Sequence, residues 1–205
     1  MLSPPSTATI VLIAAYAVFT WTTGGFSSKN AFAQPVQSTT AIVPKMPVGI
    51  DDAQLVGAGR LKFWGFDVYD AKLWAPSSFV AAEFTKHPFA LDITYLRDFS
   101  QADVVQRSLQ EMRDLTVVSD DKAAQWETQL RKSLPAIRKG DRLVGSYKPN
   151  EGASFTVNGK ALDDIRDPEM ARAFFSMWLN PGTTVPALRR ALLGLEPPAQ
   201  TKAKP

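Results

Sequence analysis

Residues 60–74 read RLKFWGFDVYDAKLW, and the reading of this stretch decides the fold. Taken as strand, one side carries Leu61, Phe63, Gly65, Tyr69 and Leu73. The other carries Trp64, Phe66, Val68 and Trp74, so only Asp67, Asp70 and Lys72 interrupt an apolar ribbon. A strand covered on one side alternates apolar and polar residues. This one requires cover on both faces, either packed protein or a bound molecule. Gly65 divides it, so residues 54–63 and 65–75 are two strands or one strand bent at the glycine.

Working outward, FALDITYL at 89–96 alternates, with Phe89, Leu91, Ile93 and Tyr95 on one face and Asp92 and Thr94 opposite, as a half-buried antiparallel strand would. A helical period follows. Ser100 is an N-cap, Val105, Leu109 and Met112 form the apolar stripe, and Gln106, Arg107 and Glu111 fall on the wet side. A second helix starts at Ser119 or Asp120, carries Ala123, Trp126, Leu130 and Leu134, and stops at Pro135. Strands resume over 143–148 and in ASFTV at 153–157, with Asn158-Gly159 as the strongest hairpin signal. Asp167-Pro168 caps a third helix with stripe Ala171, Phe174, Phe175 and Trp178. Thr183 or Thr184 opens a fourth, which ends at Gly194. Strands, two helices, a hairpin and two helices predict an α+β fold, an antiparallel β-sheet with a layer of helices on one face.

Residues 10–21, IVLIAAYAVFTW, are an uncharged run of signal-peptide length, too short for a comfortable membrane span. Ala31-Phe32-Ala33 then supplies a small-x-small cleavage pattern. The organisation expected is a signal peptide at 1–33, a linker or lead-in strand at 34–49, one domain at 50–195 and a disordered tail at 196–205. The chain is expected to be exported, to the periplasm, with membrane contact only through an uncleaved signal segment. That segment carries Lys29 and no acidic residue, so 23 basic residues become 22 against 20 acidic ones and the net charge falls from +3 to +2. With no basic run interleaved with aromatics, nucleic acid is not an expected partner. The chain has no cysteine, and its one histidine, His87, precedes Pro88 in a loop. No metal site and no His-based catalytic arrangement is expected, and no cofactor. Gly57-Ala58-Gly59 leads into a strand rather than a helix and so lacks the geometry of a phosphate loop.

Among the polar groups set in apolar strand positions, Arg60, Tyr69 and Arg97 are candidates to hold a carboxylate or an enolate-like oxygen, with Trp64 and Phe99 as apolar lining. The competing reading is that the Arg stems cover apolar surface and the aromatics are core. Asp67 and Asp70, three apart on a strand, point to opposite faces and are not expected to share a site.

Leu55-Val56-Gly57-Ala58-Gly59-Arg60, Lys62-Phe63 with Val68-Tyr69, the strand–Ser100–helix junction, Phe174-Phe175-x-x-Trp178-Leu179 and Pro186-x-Leu188-Arg189-x-x-Leu192-Leu193-Gly194 together resemble the chalcone isomerase family, and within it the bacterial exported branch. The resemblance spans about 50–195. It implies a long antiparallel sheet, helices on one face and a ligand cleft between them. It also implies three positions of the plant enzyme's chemistry, an Arg at Arg60, a Thr where Trp64 stands and a Tyr where Phe99 stands. Two hydroxyls that would support developing oxyanion charge are therefore replaced. The resemblance thus carries the fold and not the ring closure, and no catalytic residue is assigned. Non-catalytic members of the family bind fatty acids through an Arg and a Tyr, which implies Arg60 with Tyr69, or Arg97, for the same task here. The functions expected are binding of a small apolar or amphipathic ligand such as a fatty acid or, alternatively, isomerase action on an enone, or a structural role in an envelope complex.

Overall fold

The computed structural model describes residues 50–195. The expectations for 1–33, 34–49 and 196–205 lie outside them. Six antiparallel strands follow one another across the sheet in chain order, β1 Gln54–Phe63, β2 Phe66–Ala75, β3 Phe89–Tyr95, β4 Arg142–Lys148, β5 Gly152–Val157 and β6 Lys160–Ala161. Helices α1 Gln101–Leu115 and α2 Asp120–Ser133 interrupt the meander between β3 and β4. Helices α3 Pro168–Leu179 and α4 Pro186–Leu192 follow it, and a short 3-10 helix, Ala81–Lys86, joins β2 to β3. The fold is α+β, as the element order predicts.

The local signals act as expected at most helix ends. Ser100 and Ser119 accept backbone N–H bonds from Asp103 and Lys122, and Asp167 accepts from Glu169 and Met170 ahead of Pro168. The fourth helix differs. It opens at Pro186 after Val185, because the two threonines are engaged elsewhere, Thr183 by the Met177 carbonyl and Thr184 by Glu111.

The core lies between the sheet and the helices. Phe175 is at its centre, ringed by Phe89, Tyr147, Phe155 and Phe174 with centroids 5.0–6.4 Å away. Helix α4 lies directly on β1, which requires bare backbone. A Cβ on Gly57 would stand 2.1 Å from the Ala191 carbonyl oxygen, and one on Gly59 2.8 Å from Leu188. The Gly-Ala-Gly stretch is thus a packing surface for a helix.

The ribbon at 60–74 is a hairpin, turning at Trp64-Gly65. Its residues divide three ways. Leu61, Tyr69, Ala71 and Leu73 enter the core beneath the helices. Trp74 is covered on the opposite face by Ile50 and Ala53, beside Ala90. Phe63, Trp64 and Phe66 at the tip are covered by neither, and are 63%, 75% and 62% exposed.

Two wet-face expectations are corrected. Asp92 is buried, because Arg142 of the neighbouring strand lies across the sheet and grips both its oxygens at 2.8 Å. Glu111 is also buried, for a reason that belongs to the site.

Candidate functional site

The five residues singled out in the sequence fall in three places. Arg60 stands on the sheet face away from the helices. Its guanidinium meets Asp70 at 2.6 and 2.9 Å and Asp67 at 2.8 Å, and Lys62 adds a contact to Asp67 at 3.4 Å. The two carboxylates share a face because the register slips where Leu61 faces Tyr69 but Lys62 faces Asp67, leaving Val68 as an extra residue in β2. Simple alternation had placed them on opposite faces, and this bulge overrides it. The Arg60 guanidinium is held well above its ordinary value, chiefly by its hydrogen bond to Asp70. An Arg committed to two carboxylates, on the face opposite Tyr69, does not share a ligand head with that phenol.

Trp64 is at the exposed tip, and Arg97 lies with its guanidinium carbon 5.2 Å from the Phe66 ring centroid. Phe99 is half-buried beside Tyr95, rings 5.8 Å apart in an edge arrangement, and its backbone pairs with Ile137.

Tyr69 is the candidate that faces the helices. It sits opposite Tyr95 in the β2–β3 register, ring centroids 5.7 Å apart. Its hydroxyl accepts a 2.8 Å bond from the Trp178 indole N–H of α3. The proton of that hydroxyl has no acceptor among the described residues. Tyr95 is 9% exposed, and its hydroxyl has no hydrogen-bond partner among them. Both phenols are pushed well above their ordinary values, Tyr95 by burial alone and Tyr69 by burial against the opposing Trp178 bond. They are therefore neutral donors at any physiological pH.

Around this pair the helices add the polar groups that the sequence reading missed. Glu111 of α1 pairs with Arg107 one turn earlier and accepts a 2.9 Å bond from Thr184 before α4. The Glu111 and Arg107 charges are both close enough to act on the Tyr69 phenol. Glu111 escaped notice because helical period alone puts it outside. The signal that would have found it is Thr184, a hydroxyl just ahead of a short helix with no N-cap bond of its own. Tyr95 escaped because its strand face reads as core.

Two depressions among the described residues lie elsewhere. One, of about 500 Å³, runs beside Trp126 and Asp167 between α2 and the segment before α3. The other, of about 420 Å³, lies on the back of the sheet among Arg60, Asp70, Lys72 and Asp92. Both are open to solvent and edged by charged side chains. Among the described residues no three His, Cys, Asp or Glu side chains gather to hold a metal ion, and no helix is long and apolar enough to cross a membrane.

A sheet of this order with its helix layer on one face is the expected architecture, and a sequence profile decides the matter. The chalcone isomerase-like profile matches residues 36–194. The chain belongs to the chalcone isomerase-like family. A search of curated proteins found no match. Among solved structures, a fatty-acid binding protein of Arabidopsis thaliana is similar to this chain with a TM-score of 0.55 at 15% identity, over 72% of this chain and 90% of that one. At that identity the likeness shows the shared fold.

Proposed function

We propose that this chalcone isomerase-like domain is an exported, non-catalytic binder of an amphipathic molecule, a fatty acid or a ligand of similar chemistry. The observation that carries the reading is the Tyr69–Tyr95 pair. Two phenols with buried rings on adjacent strands each carry a proton with no acceptor among the described residues, and a hydrogen bond from such a donor to a charged acceptor contributes about 1.5–3 kcal/mol. A ligand carboxylate or carbonyl oxygen between them would accept from both. An acyl chain would extend into the sheet–helix interior, where Met112, Met170 and Met177 are unbranched side chains that repack readily. Neither depression described above reaches the phenol pair, so a ligand would enter as those side chains shift. Fatty-acid binding by the structural neighbour from Arabidopsis supports the same class of ligand. Trp64 and Phe99, in place of the enzyme's two hydroxyls, support binding without ring closure. The apolar run at 10–21 and Ala31-Phe32-Ala33 support export, and N-terminal sequencing of periplasmic protein is expected to begin at Gln34.

The binding test is titration of fatty acids against the chain and three variants. Tyr69→Phe and Tyr95→Phe should each weaken binding about tenfold or more, the worth of a hydrogen bond to a charged acceptor. Arg60→Ala should leave it unchanged, because that guanidinium serves Asp67 and Asp70 on the other face. Saturable binding that ignores both phenols, or that Arg60→Ala abolishes, overturns the assignment. The same two donors would also polarise an enone carbonyl, which keeps isomerase action as the second reading. Cyclisation of a chalcone well above its spontaneous rate, lost in Tyr95→Phe, would establish it.

A further inference from the structure

The hairpin tip is built at a conformational cost that its own turn does not need. Trp64 and Gly65 both have positive φ, 52° and 82°, as the two central residues of a type I′ turn require. Glycine at the second position is expected. A tryptophan at the first is not, since a left-handed conformation is strained for a residue with a Cβ other than asparagine or aspartate. The indole so placed is 75% exposed between Phe63 and Phe66, with rings of Phe63 and Trp64 6.2 Å apart. The tip is convex, and a Cβ at Gly65 would have no heavy atom within 4 Å. A protruding turn of this kind offers no groove to a peptide or an extended strand.

Its charges select the occupant. Lys62 precedes Phe63 and Arg97 lies over Phe66, so cationic groups stand directly behind the rings. Asp67 and Asp70 are paired with Arg60 and Lys62, and Asp98 accepts the Lys139 backbone N–H at 2.7 Å, so Arg97 is the cation here that pairs with no carboxylate among the described residues. Exposed aromatics at an apex, backed by an Arg97 guanidinium that is paired with no carboxylate among the described residues, match the headgroup region of a bilayer. There aromatic rings settle at the apolar boundary and cations meet phosphates.

We infer that the Phe63–Trp64–Phe66 tip inserts into the interface of a lipid bilayer. The inference stands without the fatty-acid reading. The two share a direction, because Tyr69 and Tyr95 lie at the same end of their strands as the tip, and docking there would set the phenol pair toward the lipid.

The chain has no cysteine, so a single one can carry an environment-sensitive dye. The full chain is labelled at Phe66→Cys or, as a control, at Glu151→Cys in the β4–β5 turn at the opposite end of the sheet. It is then mixed with phosphatidylcholine vesicles, with and without phosphatidylglycerol. The label at 151 reports binding that does not involve the tip, so the difference between the two labels reports the tip. Expected is a blue shift and quenching by brominated acyl chains at position 66, absent at 151, and stronger with the anionic lipid. Adding Trp64→Asn should reduce the response at 66 at least fivefold while circular dichroism stays unchanged, since asparagine suits the turn. An aqueous signal at 66 with vesicles, equal shifts at both labels, or an unchanged shift in Trp64→Asn overturns the inference. A shift at 66 that grows with protein concentration without lipid overturns it in favour of contact between two copies.

Discussion

Two hairpin turns of this sheet have nearly the same backbone and opposite side chains. Asn158-Gly159 joins β5 to β6 with φ of 51° and 82°, and Trp64-Gly65 joins β1 to β2 with φ of 52° and 82°. Asn158 is bound on both sides of its amide. Its oxygen accepts from the Arg142 N–H at 2.9 Å, and its nitrogen donates to Asp141 at 2.8 Å. Trp64 makes no such bond, and its ring contact is to Phe63, which is exposed as well. Asparagine is there because the turn uses it. Tryptophan is there although the turn would be better without it, and that difference marks the tip as a surface kept for something other than folding.

The comparison breaks most sharply if exposed and buried aromatics of the β1–β2 hairpin prove energetically alike. Tyr69, five residues past Trp64, is packed against Tyr95 and bonded by Trp178. Tyr69→Ala should cost about 3–5 kcal/mol in denaturant unfolding, as for other buried aromatics, whereas Trp64→Ala should cost almost nothing. Equal losses would mean that the tip is structural.

Next in size is Asn158→Ala, expected to cost about 1–2 kcal/mol through lost hydrogen bonds and a left-handed backbone. The loss should shrink in acid. Asp141 is held below the ordinary carboxylate range, first by the Arg138 backbone N–H and then by Asn158. A depressed carboxyl contributes stability that is complete above its ordinary value and disappears as pH falls through its lowered one. Unfolding of both proteins between neutral pH and the carboxylate range checks this, and a loss independent of pH would remove Asp141 from the account.

The smallest effect has the opposite sign. Trp64→Asn should leave stability unchanged or raise it by up to about 1 kcal/mol. A clear loss of melting temperature would show that the indole holds the hairpin together and would weaken its reading as a docking surface.

Turn and cap chemistry made most of the fold legible in the sequence. Ser100, Ser119, Asp167-Pro168 and Asn158-Gly159 each act within a few residues and behave as written. The site was less legible because its parts meet across the fold. Glu111 is solvent-facing by helical period and becomes buried only when Thr184, more than seventy positions later, closes over it. Asp67 and Asp70 are opposed by strand alternation until a bulge at Val68 turns both toward Arg60. Tyr69 was among the candidates, but its neighbour Tyr95 was hidden in a face that reads as plain core. Burial of a polar group depends on its partner, and periodicity carries no information about partners.

The strict chain order of the sheet has a kinetic consequence. Every strand pairs with the next one along, so five pairings need four short closures and one long one, the connection that holds α1 and α2. The cost of closing a loop rises with its length. Loop closure is therefore cheapest within β1–β2–β3 and within β4–β5–β6, and the β3–β4 seam is the expected late step. Asp92 and Arg142 bond diagonally across that seam. Their ion pair is consequently a contact of the closing event, one whose loss should slow the joining of the halves rather than the formation of either.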